Sequence, residues 1–316
     1  MNLVTGSSGF IGARLVAALR SDGLAVRCAS RQRGDDATQV VADLADRSSL
    51  LAACADVETV YHCAGHAHAF GSLTALDAER HWQINFEGTR NLVEAAGQSG
   101  VKRFVFLSSV KAMAEPGEQL VDEFCPGEPA TAYGKSKLAA ERAVLDAVGR
   151  FGIHVVNLRL SMVYGAGGRG NLERMGRLVA RGLFPPLPET GNHRSMIHVD
   201  DVIAAMRLVA IDEPAAGGTF ILAGNEAPSG RELYDAIRAA LGMPPVQWSV
   251  PRSLLALGAI GGDLIGQLIR RRMPLNGEVL DRLLKSAWYS SELVRRQLGW
   301  APRVTLQAGL KEMLGR

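Results

Sequence analysis

A tyrosine and a lysine four positions apart are the residues of this chain best suited to move a proton. Tyr133 and Lys137 open a segment rich in Ala, Leu and Glu, a composition that predicts a helix on which the two share a face. An ammonium beside a phenol favours the phenolate and lowers its pKa from about 10. The spacing therefore predicts an acid/base pair for a substrate hydroxyl near neutral pH, although a surface tyrosine and a solvated lysine share it often by chance.

Two serines at a strand end lie upstream of this pair. The run from Arg103 to Leu107 is almost wholly apolar, as a strand buried on both faces of a parallel sheet requires, and it ends in Ser108 and Ser109. Ligand sites form at the strand ends of open parallel sheets. The two serines are therefore candidate site residues.

Three glycines lie between the first predicted strand, at Asn2–Val4, and a segment with apolar residues at helical spacing. Gly6 would allow a tight turn, and Gly9 would let the backbone approach a pyrophosphate at the helix N-terminus. Gly12 would let helix and strand pack closely. The pattern predicts a dinucleotide site, the plain alternative being an ordinary turn between a strand and a helix.

The end of the second predicted strand bears on the choice of dinucleotide. Sites that prefer NAD place an acidic residue about 20 residues beyond the glycine loop. This chain has Ser30 and Arg31 there, and a guanidinium suits the 2′-phosphate of NADP. We therefore favour NADP(H) and keep NAD as possible; a solvated basic loop is the alternative reading of Arg31.

Two further strand ends belong to the expected cofactor site. Asp43, at the end of a third predicted strand, could accept a hydrogen bond from the adenine amino group or cap the helix expected near Arg47. The fourth predicted strand runs into Cys63, Ala64 and Gly65. Small residues there would let a cofactor lie against the backbone.

Composition restricts the classes of function. The chain has 316 residues, of which 47% are hydrophobic and 21% charged, a globular composition. A net charge of +3 is too small to imply nucleic acid or an anionic membrane. The apolar run from Leu254 to Ile269 contains Asp263 and four glycines, which favours a substrate-side helix or loop over a membrane span.

Cysteine and histidine spacing argues against a metal centre. The four cysteines form no C-x-x-C pair and are read as reduced thiols, which fits a cytoplasmic location. His66 and His68 are two apart with no further ligand nearby, so no metal site is expected, and we interpret their segment as a loop near the substrate.

Taken together, these motifs resemble the extended short-chain dehydrogenase/reductase family, which contains the NAD-dependent epimerases and dehydratases. The likeness rests on Thr5–Gly12, Asp43-Leu44, Ser108-Ser109 and Tyr133-x-x-x-Lys137, and it continues from Arg194 to Pro302. The run from Phe106 to Lys111 and the final Leu-Gly-Trp-x-Pro look most like nucleotide-sugar 4-epimerases and bacterial reductases of UDP-4-keto sugars.

The resemblance implies an α/β fold with a Rossmann-type, doubly wound parallel sheet and a smaller, discontinuous α+β substrate lobe. We expect the nucleotide-binding domain at residues 1–165 and 195–224 and the nucleotide-sugar lobe at 166–194 and 225–316. It also implies a homodimer that pairs through helices at 86–97 and 136–149, although apolar residues there could equally be intramolecular core.

The resemblance assigns roles residue by residue. Ser109 would hydrogen-bond the reacting sugar oxygen, Tyr133 would be the acid/base, and Lys137 would hold the nicotinamide ribose and depress the tyrosine pKa. Asn85 would support the cofactor-side helix and loop. The expected cofactor-binding residues are Gly6, Gly9, Phe10, Ile11, Gly12, Ser30, Arg31, Asp43, Leu44, Cys63, Ala64, Gly65, Asn85, Ser108, Tyr133 and Lys137.

The expected substrate residues are Ser109, Lys111, Asn171 and Arg194. Asn171 opens a predicted helix whose N-terminus could face a diphosphate. Arg194 falls where the epimerases place an arginine on that diphosphate, the alternative being a plain surface charge.

Departures from the family's sequence patterns reduce the number of reactions that this chain is expected to catalyse. The dehydratases carry Asp-Glu, and the sugar-acid decarboxylases a Glu, where this chain has Val110 and Lys111. The cysteine of the fucose-type enzymes is also missing near this position. C4 epimerisation or C4 ketone reduction remains.

Arg31, and Met162 at a position where epimerases often have Asn, favour a reductase of a UDP-4-keto sugar that uses NADPH. A UDP-sugar 4-epimerase with retained NAD is the close alternative. A reductase of a non-sugar ketone, such as a steroid or flavonoid, and an NADP-sensing regulator without chemistry are more remote. Such regulators tend to lose the Tyr/Lys pair, which is present here.

Overall fold

The computed structural model describes residues 1–32, 36–66, 75–168, 170–269 and 276–315. Its strands are β1 Asn2–Thr5, β2 Val26–Ser30, β3 Gln39–Val41, β4 Thr59–His62, β5 Arg103–Ser109, β6 His154–Leu160, β7 Met162–Tyr164, β8 Met196–His198 and β9 Gly218–Leu222. Seven of them form one parallel sheet in the order β3-β2-β1-β4-β5-β6-β9. The remaining two, β7 and β8, pair in parallel as a small separate sheet.

The α-helices of the described ranges are α1 Phe10–Ser21, α2 Arg47–Cys54, α3 Ala75–His81, α4 Gly88–Gln98, α5 Ala132–Phe151, α6 Asn171–Ala180, α7 Val199–Ile211, α8 Gly230–Ala240, α9 Arg252–Ile269, α10 Gly277–Leu284, α11 Glu292–Leu298 and α12 Leu306–Leu314. A π-helix spans Trp82–Glu87, and short 3₁₀ turns cover Val110–Ala112 and Glu213–Ala215. None of the described helices is both long and apolar enough to cross a membrane.

Helices cover both faces of the large sheet. On one face the buried cluster includes Leu15 of α1 and Met206 of α7. On the other it includes Leu50 of α2, Leu92 of α4 and Val144 of α5. This arrangement explains the near-continuous apolar strands, because a parallel strand between two helical layers has no solvent side. The predicted α/β class with a doubly wound, Rossmann-type sheet is confirmed.

Most elements of the first 222 residues follow the sequence prediction. The strands expected at Asn2–Val4 and Arg103–Leu107 and the helix expected to open near Tyr133 are all present. One difference lies at the start of the helix expected at 86–97. The π-helix precedes α4 there, and its wider turn includes Asn85.

The segments outside the large sheet pack together around a separate apolar cluster. Leu172 of α6, Leu233 and Ile237 of α8, and Leu310 of α12 are buried in it. The run around Leu254, predicted as a helix or loop, is α9. The division into domains at 1–165 with 195–224 and at 166–194 with 225–316 stays a prediction.

Charged side chains tie the C-terminal segment to the large sheet. The buried Asp201 carboxylate, on α7, accepts hydrogen bonds from the backbone amides of Arg303 at 2.8 Å and Val304 at 3.1 Å. These residues lead into α12. A buried carboxylate with two amide donors is satisfied, and it fixes the approach of this segment.

Within the described ranges, one group of side chains has the composition of a metal site: His198, Asp200 and Glu312. Arg14 already lies between its carboxylates, with Nη1 3.1 Å from Asp200 Oδ1 and Nη2 2.8 Å from Glu312 Oε1. The hydrogen bond from Arg14 holds the pKa of Glu312 below its usual range. We interpret the group as an ion-pair network in which the guanidinium supplies the positive charge.

The Asp201 contact predicts that replacing Asp201 or its neighbour Asp200 by alanine lowers the stability of the protein by different amounts. Asp201→Ala leaves two backbone amides without their acceptor and is expected to lower the free energy of unfolding by about 1–3 kcal/mol. Asp200→Ala removes a half-exposed ion pair and is expected to cost at most about 1 kcal/mol. Urea denaturation of both variants measures the difference, and equal losses would contradict the assignment.

Candidate functional site

The glycine loop brings the end of β1, the exit of β4 and the start of α1 into contact. Gly6 has φ +64°, and a Cβ added to it would lie 2.7 Å from the amide nitrogen of Ala64. A Cβ on Gly12 would lie 2.2 Å from the carbonyl oxygen of Gly6. Both positions therefore need glycine, Gly6 for its backbone conformation and Gly12 for space.

The N-terminus of α1 is open to an anion. Gly9 is the N-cap residue and has no side chain with which to accept from the first turn. The backbone N–H groups of Phe10, Ile11 and Gly12 have no acceptor within the helix, because the first turn of any helix leaves them unpaired. This loop fits the pyrophosphate of a dinucleotide, and these residues would hold it.

The end of β2 presents a cation. Arg31 is exposed, and Ser30 beside it is half-buried. The nearest acid along the chain that is described, Asp36, is already engaged by Arg20 Nη2 at 2.7 Å, and this hydrogen bond lowers the pKa of Asp36 to about 2. Asp36 is thus held by Arg20, while Arg31 faces solvent.

Asp43 does not cap the helix that follows it. The cap of α2 is Asp46, whose Oδ1 accepts from the amide of Ser48 at 3.0 Å. Asp43 is exposed, and its Oδ1 accepts from the amide of Ala45 at 2.9 Å. Its other carboxylate oxygen is compatible with the adenine role, which stays a prediction. Leu44 packs against the start of α4, where a Cβ on Gly88 would lie 2.8 Å from it.

The exit of β4 is held by Asn85. Its Oδ1 accepts from the amide of His66 at 2.7 Å, and its Nδ2 donates to the His66 carbonyl at 3.1 Å. A Cβ added to Gly65 would lie 3.2 Å from Asn85 Oδ1 and 3.5 Å from Lys137 Nζ. The expected support of the loop by Asn85 thus has a geometric basis, and the loop lies against Lys137.

Ser109, Tyr133 and Lys137 come together at the end of β5. The Ser109 side chain lies near enough to the Tyr133 phenol to affect its pKa, and Ser109 Oγ accepts from the amide of Lys111 at 3.2 Å. Lys137 is buried, with Nζ donating to the carbonyl of Leu107 at 2.8 Å and lying 4.6 Å from the centre of the Phe106 ring. The arrangement has the parts of an acid/base site, and the catalytic roles stay predictions.

The pKa values of the pair differ from the expectation for Tyr133. Burial raises the pKa of its phenol, and the hydrogen bond with Ser109 lowers it by a smaller amount. Burial lowers the pKa of Lys137 to about 8, with Glu141 and Cys63 acting in the opposite direction. The lysine therefore titrates near neutral pH. The expected depression of the tyrosine pKa is absent from this geometry, in which the ammonium is bound to a strand carbonyl.

Sequence motifs did not indicate two residues next to this site. His81 is buried, and its ring meets that of Tyr133 edge-on with centroids 5.5 Å apart. Glu141 lies one helical turn beyond Lys137 and binds Ser108 and Arg159. The spacing of four that linked Tyr133 to Lys137 also reaches Glu141, so helical periodicity alone offered a signal for it.

A cavity of about 180 Å³ opens beside the end of β6. Leu160 is the register partner of Ser109, and Met162, two residues further on, lines the cavity. Its apolar lining comprises Met162, Leu172, Met175, Leu178, Phe184, Leu233, Val279 and Leu283, and its charged lining comprises Arg174, Arg194 and Arg282. Asn171 also lines it.

Of the predicted substrate residues, two line this cavity and two lie at the strand end. Asn171 is the first residue of α6, whose N-cap, Gly170, has no side chain. Arg194 is half-buried and donates from Nη1 to the carbonyl of Lys285 at 3.3 Å, and burial lowers its pKa. Lys111 instead pairs with Glu115 at 2.6 Å. Arg174 and Arg282 were not predicted, because no motif marks them.

The chain is similar to a described protein family and to several known proteins. The profile described as "NAD dependent epimerase/dehydratase family" matches residues 2–223. A UDP-glucose 4-epimerase of Vibrio cholerae is 31% identical over 98% of this chain and 93% of its own length. A 2-alkyl-3-oxoalkanoate reductase of Stenotrophomonas maltophilia (strain K279a) is 29% identical over 98% of this chain and 97% of its own length.

One solved structure is similar over nearly the whole chain. MoeE5 in complex with UDP-glucuronic acid and NAD superimposes with a TM-score of 0.77 and 25% identity, covering 99% of this chain and 97% of MoeE5.

The close contact at Gly12 predicts a site-specific effect of one methyl group. Gly12→Ala is expected to destabilise the protein by about 1–3 kcal/mol and to weaken dinucleotide binding, because the methyl group would overlap the Gly6 carbonyl. Gly149→Ala is the matched control, since Gly149 lies on α5 with nothing within 4 Å of an added Cβ. It should be neutral or stabilising by up to about 1 kcal/mol. Thermal unfolding and titration with NADPH measure both effects, and a Gly12→Ala variant that behaves like the control would be inconsistent with the contact.

Proposed function

The chain belongs to the NAD-dependent epimerase/dehydratase family, and on that premise we propose that it reduces the C4 ketone of a UDP-linked 4-keto sugar with NADPH. The proposal has three parts: a substrate carried on a diphosphate, an acid/base site at Ser109, Tyr133 and Lys137, and a preference for NADPH. The features that support them are separate.

The observation that carries the proposal is the composition of the cavity. Arg174, Arg194 and Arg282 enter a space otherwise lined mainly by apolar side chains. Guanidinium groups bind phosphate oxygens through paired hydrogen bonds, which are strongest where water is excluded. The open N-terminus of α6 adds backbone donors of the same kind. A diphosphate flanked by a less polar group suits this space.

The side chains at the end of β5 would perform the proton transfer. The Tyr133 phenol would give its proton to the sugar oxygen while the Ser109 hydroxyl hydrogen-bonds that oxygen and holds it in line. The Lys137 ammonium, whose pKa is about 8, would be largely charged at pH 7 and, as the resemblance implies, would hold the nicotinamide ribose. The nicotinamide, when bound, supplies the redox chemistry.

The direction of reaction depends on the cofactor. Exposed Arg31 and the engagement of Asp36 by Arg20 favour NADPH, which a reductase consumes and releases. Met162 in the cavity lining, where family epimerases often have Asn, points the same way. The second candidate is a UDP-sugar 4-epimerase with retained NAD, which the similarity to the Vibrio cholerae epimerase favours.

Two other functions have weaker support. The similarity to a 2-alkyl-3-oxoalkanoate reductase and the apolar cavity lining favour a non-sugar ketone, but three arginines are unsuited to a neutral one. A nucleotide-sensing regulator without chemistry has no need of the Ser109, Tyr133 and Lys137 arrangement.

A cytoplasmic homodimer is part of the proposal, as the resemblance implied. Leu92 and Val144, on the two helices expected to pair, are buried against the sheet of their own chain. A dimer contact through α4 and α5 would therefore use their outer faces, on which Val148 is 41% exposed.

The cofactor preference can be measured at Arg31. Arg31→Ala is expected to raise the Kd for NADPH about 10- to 100-fold, because a charge-assisted contact with the 2′-phosphate contributes about 1.5–3 kcal/mol. The Kd for NADH should change less than about twofold. Arg296→Ala removes an exposed arginine of α11 and serves as the control. Equal loss of both nucleotides, or of neither, would contradict the proposed role of Arg31.

The reaction can be tested by identifying first what the purified protein retains. Nucleotide released by denaturation is identified by mass; stoichiometric NAD would favour the epimerase and overturn the reductase. A protein that binds NADPH should oxidise it when given UDP-4-keto sugars. Tyr133→Phe is expected to lower turnover about 10²–10⁴-fold with NADPH binding intact. Arg194→Ala should raise the KM for the UDP-sugar, and a harmless Arg194→Ala with no binding of UDP would point to a non-sugar ketone.

A further inference from the structure

We propose that Glu141 is a positioning residue whose buried carboxylate, held by Arg159 and Ser108, keeps the Lys137 side chain charged at the end of β5. The contacts of the Glu141 carboxylate do not depend on the proposed function. Only the catalytic use of Lys137 rests on it.

Three elements meet at the Glu141 carboxylate. Oε1 accepts from Ser108 Oγ at 2.5 Å and from Arg159 Nε at 3.0 Å, and Oε2 accepts from Arg159 Nη2 at 2.7 Å. Ser108 of β5 and Arg159 of β6 are register partners, so their side chains leave the sheet on the same face. Both reach Glu141 of α5, which is 2% exposed. The carboxylate therefore fixes α5 to two neighbouring strands.

A purely structural role does not account for a charge at this position. A buried ion pair contributes little net stability, since the cost of removing both groups from water offsets their attraction, and apolar residues of similar volume serve as well. Glu141 lies one turn beyond Lys137 on the same helix face. Lys137 is itself buried, and an isolated buried ammonium tends to lose its proton. A fixed carboxylate one turn away opposes that loss.

The groups that act on Lys137 come from several elements. Burial lowers the pKa of Lys137 to about 8, and the carboxylate of Glu141 and the thiol of Cys63 raise it. His62 also faces it, and its pKa is lowered to about 3 by burial and by the Lys137 charge, so it stays neutral at pH 7. The neutral neighbours are the Leu107 carbonyl and the Phe106 ring. Glu141 is thus the fixed negative charge that acts on this ammonium.

Loss of the negative charge at position 141 is expected to lower the pKa of Lys137. With Glu141 ionised, Lys137 keeps its proton up to about pH 8. A neutral residue at position 141 removes an attraction for the charged form, so the pKa of Lys137 falls and the ammonium is lost at lower pH. Any step that needs the ammonium then loses the alkaline part of its pH range.

The test uses the full chain and needs no substrate. The protein is labelled with ¹³Cε-lysine and titrated by NMR, and the Lys137 resonance is assigned by its loss in Lys137→Arg. The parent midpoint is expected near 8. In Glu141→Gln it should fall by about one unit or more, a tenfold loss of charged lysine at a given pH. Asp146→Asn, which neutralises an exposed carboxylate on the same helix, should leave it unchanged.

A folded Glu141→Gln protein with an unshifted midpoint would overturn the proposal. If that variant does not fold because Arg159 is left unpaired, Glu141→Gln combined with Arg159→Met removes both buried charges. Its midpoint is again expected below that of the parent, because Glu141 is the charge one turn from Lys137. An unshifted midpoint there has the same meaning.

Turnover separates this proposal from the proposed function. With a UDP-4-keto sugar and NADPH, the alkaline limb of kcat/KM should move to lower pH in Glu141→Gln by the amount seen in the lysine titration. If the Lys137 titration shifts but the parent protein does not turn over the UDP-4-keto sugar, the proposed substrate is wrong. The positioning role of Glu141 is then still supported.

Discussion

Burial of the parallel sheet on both faces is the constraint on which the other features depend. Leu15 and Met206 cover one face, and Leu50, Leu92 and Val144 cover the other. With both faces closed, a ligand reaches the sheet only at its edges. All seven strands run in one direction, so their carboxyl ends share one edge. The ends of β1, β2, β4, β5 and β6 each contribute residues to the candidate site for this reason.

Glycine occupies the positions at that edge where neighbouring backbone segments approach too closely for a side chain. Gly6 and Gly12 let α1 approach the exit of β4, which an added Cβ would prevent at distances of 2.7 and 2.2 Å. Gly134 has the same role at α5, since a Cβ there would lie 2.1 Å from the carbonyl oxygen of Lys111. The start of α5 thus rests on the turn after β5, which is why the Tyr133 side chain meets Ser109.

Charge is divided between two regions. At the strand ends, Lys137 and Glu141 are buried; Lys137 donates to a backbone carbonyl, and Glu141 pairs with the half-buried Arg159. In the cavity, Arg174, Arg194 and Arg282 enter a mainly apolar space. The first region suits proton transfer, because burial brings the pKa of Lys137 to about 8. The second suits an anion, such as the diphosphate of the proposed substrate.

The sequence alone determined the class of fold, and it indicated which residues lie at the strand ends where a nucleotide is expected. Apolar strands, the Gly6–Gly12 loop and the Tyr133/Lys137 spacing are local patterns. Such patterns can be recognised in the sequence before the fold is known. Only the tertiary structure decided which distant groups meet. Glu141 binds Ser108 and Arg159, and Arg174 and Arg282 join Arg194, because helices and strands far apart in the chain pack together. The pKa directions of Tyr133 and Lys137 were likewise decided by burial, which spacing along the chain does not reveal.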